Sequence, residues 1–139
     1  DGPQFMKDYV TQKMNEGHNQ YAPFLGTPNL RAEIANYYQS YYQLKFDAEA
    51  EVTVTVGATE AIYLVMNAMI NPDDEVIVLE PFYDSYVASI KVAGGIPVPV
   101  TMHAPDFNID AKELSQAITP RTKMIILNNP HNPTGKVWS

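Results

Sequence analysis

Three short stretches of this chain hold residue types able to do chemistry, each following an apolar run. The first is VGATEA, Val56 to Ala61. A glycine between a strand and a helix lets the amides of Gly57, Ala58 and Thr59 point at an anion, with the field of the helix N-terminus behind them and the Thr59 hydroxyl as one more donor. A phosphate suits such a turn. So does a plainer reading, a tight βα turn in which Thr59 caps the helix. The stretch carries neither the GxxxxGK[ST] of a P-loop nor GxGxxG. The second stretch is EPFYDSY, Glu80 to Tyr86, whose aromatics either offer a flat face to a planar ring or simply pack. The third is NNPHNPTGK, Asn128 to Lys136. Its prolines fix φ and remove donors while Gly135 permits left-handed φ, so the loop is stiff and specifically shaped. Asn132 offers both a donor and an acceptor, and His131 is an acid, a base or a structural neighbour.

These stretches need elements to hold them. Val52 to Val56, Glu75 to Leu79, Ile96 to Thr101 and Lys123 to Leu127 read as β-branched strands. Helical patterns separate them, from Gly57 to about Ile70, from Tyr83 to Ala93, and from Asp110 to about Ile118. Alternating strand and helix predicts an α/β fold, a mostly parallel sheet with helices on both faces. Pro97 and Pro99 point to a third strand at or near an edge, since each costs a ladder donor. Before this region, Phe5, Met6, Tyr9, Val10 and Met14 recur at helical spacing and Gly17 closes that helix. A second helix, capped by Thr27 or Asn29, runs to about Leu44 with an aromatic face of Leu30, Ile34, Tyr37, Tyr38, Tyr41 and Tyr42. The three candidate loops then all lie at the carboxyl ends of strands, where open α/β sheets keep their ligands.

Composition narrows the partners. With 139 residues, 45% of them hydrophobic, the chain has material for one core. A net charge of −7, with nine Lys and Arg scattered along the chain, argues against nucleic acid. No cysteine is present, so disulfides, thiol nucleophiles and thiolate metal sites are excluded. No apolar run approaches the length of a membrane span, and no membrane partner is expected. The opening DGPQFMKDYV reads as the interior of a longer protein, with a cytoplasmic setting as the default.

A phosphate cradle, an aromatic face and a polar residue facing a ring substituent, in one crevice, together look like a site for pyridoxal 5′-phosphate. VGATEA, EPFYDSY and NNPHNPTGK, in this order and spacing, resemble the class I/II aminotransferases of the fold-type I pyridoxal-phosphate enzymes. The pattern is closest to the methionine and kynurenine (glutamine-type) group, which also has DGP near the start, a QYAPFLGTPNLR-like segment and GGIPVPV. The resemblance covers essentially the whole chain.

It implies specific roles. Gly57, Ala58 and Thr59 match the phosphate-cradling turn, Tyr83 the aromatic stacked on the cofactor ring, and Asn132 the asparagine that hydrogen-bonds the cofactor's phenolic oxygen. Tyr21 matches a tyrosine that, in these dimers, reaches the phosphate of the neighbouring subunit's cofactor. Cis peptides are implied before Pro133 and Pro81. The family's cofactor-linked lysine, its pyridine-pairing aspartate and its carboxylate-binding arginine lie beyond this loop. None of Lys7, Lys13, Lys45, Lys91, Lys112, Lys123 and Lys136 stands in that lysine's context, so no catalytic residue is assigned among the 139.

Residues 1–139 then correspond to the N-terminal portion of a single large cofactor-binding domain, with the rest of that domain and the small domain outside it. In the family, strands from that other half separate the first strand from the remaining three. Unpaired strand edges and uncovered apolar faces are therefore expected. The function implied is transamination between an amino acid of methionine, glutamine or aromatic type and a 2-oxo acid, by a homodimeric full-length protein. The chain alone is expected to be inactive. A carbon-sulfur β-lyase of the same fold, and a non-catalytic phosphate-binding or interaction module, are the alternatives.

Overall fold

The computed structural model describes residues 1–138, which divide into two compact units, Asp1–Thr55 and the chain from Val56 onward. The first unit is helical. Helix α1 (Gln4–Asn15) follows Pro3 and ends at Gly17, whose φ is +93°. The Gly17 amide bonds the Met14 carbonyl and the His18 amide bonds the Lys13 carbonyl, the double closure that a left-handed residue after a helix permits. Its apolar residues Phe5, Met6, Tyr9, Val10 and Met14 recur as expected and are all exposed.

Helix α2 (Pro28–Tyr42) starts as predicted, with Thr27 extended before it and Pro28 in its first turn. It stops two residues short of Leu44 because Gln43 turns left-handed at φ 58°. Its tyrosines remain largely exposed and pack on one another, Tyr37 on Tyr41 at 4.7 Å and Tyr38 on Tyr42 at 5.6 Å between ring centroids. The buried residue of α2 is Arg31. Its Nε donates to the Val52 carbonyl at 2.9 Å and its terminal nitrogen donates to the Glu49 carbonyl.

That arrangement corrects the predicted strand at Val52 to Val56, which is not one. A β-branched run becomes a strand only where a neighbour completes its ladder. Here Arg31 takes the Val52 carbonyl, and the Val54 amide bonds the Leu25 carbonyl at 3.0 Å.

The second unit is the α/β layer. Its elements are α3 (Gly57–Met69), β1 (Glu75–Glu80), α4 (Ser85–Val92), β2 (Ile96–Thr101), α5 (Ala111–Ala117) and β3 (Thr122–Ile126). The strands are parallel in the order β2-β1-β3, which puts the proline-bearing β2 at an edge. Glu75 faces Ile96 on one side and Thr122 on the other, with an irregularity before Val76 pairs with Met124.

The continuous apolar run of β1 is what a strand covered on both faces requires. Val76 and Val78 pack with Met66 and Ile70 of the α3 segment and with Tyr86 and Ile90 of α4. Ile77 and Leu79 pack on the other face with Val100, Met102 and, partly buried, Leu114 of α5. Gly95 makes the turn into β2 tight, because a Cβ there would lie 2.7 Å from Cγ2 of Ile70. Asp110 caps α5 through its side chain, accepting from the Lys112 and Glu113 amides.

At the amino end of β1 the buried Glu75 carboxylate accepts from the Thr119 hydroxyl and from Nε of Arg121 at 2.9 Å. These bonds hold its pKa below the ordinary value, the Thr119 hydroxyl contributing most and the Arg121 guanidinium next. Cis peptides precede Pro81 and Pro133 as expected, and also Pro105 and Pro130.

Candidate functional site at the carboxyl ends of the strands

The N-terminus of α3 and the loop after β1 meet through hydroxyl groups. Thr59 Oγ1 lies 3.1 Å from the Tyr83 hydroxyl and 3.4 Å from Ser85 Oγ. Gly57, Ala58 and Thr59 are exposed in the first turn of α3. Gly57 holds φ +81°, a region L side chains avoid, and apart from its chain neighbours and the backbone of its own helix no atom lies within 4 Å of the place its Cβ would take. The backbone shape therefore requires glycine there, and the space beside it is open. Glu60 in the same turn accepts from the Val56 amide, setting a negative charge at the positive end of the helix.

The aromatics of EPFYDSY divide their work. Tyr86 is buried in the core, and burial raises its phenol pKa. Tyr83 stands against it in a T-shaped pair, centroids 5.8 Å apart at 86°, and is only half-buried. Hydrogen bonds from Ser85 and then Thr59 lower its phenol pKa from the ordinary value. Ser85 was not singled out from sequence. The available signal was a hydroxyl residue opening a helix two positions after Tyr83.

The loop after β3 is closed on itself. The His131 amide bonds the Lys136 carbonyl and the Gly135 amide bonds the His131 carbonyl, each at 2.7 Å. His131 is buried, which lowers its pKa, and Nδ1 lies 2.8 Å from Thr134 Oγ1. Asn132 is exposed, its amide donating to Asn128 Oδ1 at 3.0 Å. Asn128 too went unremarked in the sequence, although an asparagine before a turn commonly bonds the backbone beyond it. Asn129 clasps Trp138, accepting from its amide and donating to its carbonyl, each at 3.1 Å.

The structure thus joins Thr59 to Tyr83 directly and sets Asn132 in the loop after β3, the strand paired beside β1. Tyr21 belongs to the first unit, with its side chain fully exposed. An exposed glycine turn opening a helix, a hydroxyl cluster and a half-buried ring fit a small phosphorylated aromatic. Among the described residues no group of His, Asp and Glu could hold a metal ion, and no helix is long and apolar enough to cross a membrane.

This arrangement of helices and parallel strands is shared with solved aminotransferases. The methionine aminotransferase of Escherichia coli superposes with a TM-score of 0.97 at 40% identity, over 100% of this chain and 37% of that one. The N-succinyldiaminopimelate aminotransferase of Mycobacterium tuberculosis gives 0.95 at 42%, again over 100% of this chain and 37% of that one. The aromatic aminotransferase of Pyrococcus horikoshii gives 0.96 at 31%, covering 100% of this chain and 38% of that one. In sequence, the E. coli methionine enzyme aligns over 99% of this chain and 36% of its own length. The chain therefore spans about a third of the relatives it matches. The profile described as aminotransferase class I and II matches residues 3–139, and the chain belongs to that family.

Proposed function

We propose that this chain is the N-terminal portion of the cofactor-binding domain of a pyridoxal 5′-phosphate-dependent aminotransferase, and that the longer protein exchanges amino groups between an amino acid and a 2-oxo acid. The observation that carries the reading is the 3.1 Å contact between Thr59 and Tyr83, which puts the phosphate-type turn beside the candidate stacking ring. The amides of Gly57, Ala58 and Thr59, with the Thr59 hydroxyl, would hold the phosphate. The Tyr83 ring would lie against the pyridine, and the Asn132 amide group would donate to its phenolic oxygen. Bound there, the cofactor supplies an electron sink for charge developing at the amino acid's α-carbon. The chain's own work is to anchor the phosphate and to fix the ring's plane and orientation, which is where positioning contributes most. Tyr21 would complete the phosphate site of a second copy, so the working protein is a homodimer. Methionine, glutamine and aromatic amino acids are the substrate types the family resemblance favours.

The test compares the 139-residue chain with the full-length protein, each supplied with pyridoxal 5′-phosphate, methionine or glutamine and a 2-oxo acid. Stoichiometric exchange of keto acid and amino acid by the full-length protein alone is expected. Release of pyruvate and a thiol from a cystathionine-like substrate, without exchange, would refute transamination, and equal turnover by the chain would refute its assignment as a part.

A further inference from the structure

His131 is a buried titratable group, beside a proposed cofactor contact, for which the reading above finds no use. It sits beside Asn132, and the two differ sharply: Asn132 is exposed, whereas His131 is only 4% exposed. Both main-chain polar groups of His131 reach across to the returning limb of its loop, to Lys136 and Gly135. Its Nδ1 meets the Thr134 hydroxyl at 2.8 Å, and that same oxygen accepts from the Lys136 amide at 3.2 Å. Because Thr134 already accepts there, its own hydrogen is free to be given to Nδ1, making a short relay from Lys136 through Thr134 to His131. The far side of the imidazole rests on Trp138, centroids 5.2 Å apart. Trp138 is itself tied by Nε1 to the Phe107 carbonyl at 3.0 Å and by its backbone to Asn129. Asn132 and Pro133 are the exposed apex of a ring that His131 closes at its base.

We propose that His131, through its bond to Thr134, is a positioning residue that sets the orientation of Asn132 toward the cofactor ring. This rests on the reading of Asn132 given under Proposed function. A group held at both main-chain atoms, at the side chain and on one ring face has one orientation available, and its sequence neighbour inherits it. The imidazole needs no proton transfer for this; burial disfavours its charged form, and the neutral ring is what the Thr134 bond and the Trp138 contact accommodate.

The experiment uses the full-length protein and pyridoxal 5′-phosphate as the probe, reading both affinity and the pH midpoint of the bound cofactor's visible band. His131→Phe keeps the ring and loses the hydrogen bond; Thr134→Val keeps the shape and loses the hydroxyl; His131→Asn keeps an acceptor near the Nδ1 position. The Phe and Val variants should each weaken binding by roughly 3- to 10-fold, the factor for one neutral hydrogen bond. They should also move the midpoint in the direction that Asn132→Ala moves it. The His131→Phe/Thr134→Val pair should be no worse than either alone, and His131→Asn should recover most of the loss. If Thr134→Val, the variant least able to disturb folding, leaves affinity and midpoint at wild-type values while Asn132→Ala changes them, His131 has no positioning role through this bond. If Asn132→Ala changes neither, the reading of Asn132 itself is wrong and this inference falls with it.

Discussion

Replacing Thr59 by valine tests the proposed phosphate site with little disturbance of the fold. Valine keeps the branched shape and removes the hydroxyl, whose two partners, Tyr83 and Ser85, are neutral hydroxyls near the surface. Thr59 is exposed, so the protein should unfold at nearly the wild-type temperature. Ligand binding is another matter. A hydroxyl donating to a phosphate makes a charge-assisted bond worth about 1.5–3 kcal/mol. At 1.4 kcal/mol per tenfold, Thr59→Val should weaken pyridoxal 5′-phosphate binding by roughly 10- to 150-fold. Pyridoxal, which has the ring without the phosphate, supplies the control and should lose far less. Both affinities can be measured by absorbance titration of the full-length apoprotein, with thermal melts run in parallel. Equal losses for the two ligands, or none for either, would refute the placing of the phosphate at this turn.

Other perturbations test the frame around the site. Glu75→Gln addresses the amino end of β1. The folded carboxyl holds its proton less readily than the unfolded one, whose ordinary value is 4.5. Its contribution to stability is thus present above that value and is lost as pH falls through the lower folded one. The wild type should lose stability steeply in that acid range and Glu75→Gln should show a shallower slope, as followed by melts from pH 7 down to 3; parallel slopes would exclude the linkage. Gly57→Ala should cost about 1–2 kcal/mol, the strain of a left-handed residue with open space around it. Gly26→Ala should cost more, because φ there is +97° and the new Cβ would lie 2.6 Å from Cγ2 of Val54; denaturant midpoints that reversed this order would contradict the backbone described. Finally, the 139-residue chain alone should self-associate, since the stripe from Phe5 to Met14 and the residues Ile125 and Leu127 are exposed together with the free edge of β3. Light scattering and a cooperative melt from a monomer would show otherwise.

Much of the α/β layer was legible because each of its signals is local. The apolar run of β1, the capping aspartate at position 110, the glycines closing helices and the prolines marking an edge all act within a few residues of themselves. The strand at Val52 to Val56 failed for the opposite reason: its residues favour extension, but extension becomes a strand only when another segment supplies the ladder. Arg31 shows the same limit. Nothing in LRAEI marks it as buried, and only the folded chain brings the Val52 and Glu49 carbonyls within reach of its guanidinium.

The site divides along the same line. Residue types singled out the turn Gly57 to Thr59 and Asn132, because a glycine turn and an amide carry their chemistry wherever they are placed, while the family resemblance picked Tyr83 from its neighbouring aromatics and added Tyr21. Which aromatic is presented and which is buried, that Thr59 touches Tyr83 across 24 positions, and that His131 is buried while Asn132 is exposed, were decided by the tertiary structure. Those choices depend on distances between segments remote in the chain, and packing alone sets such distances.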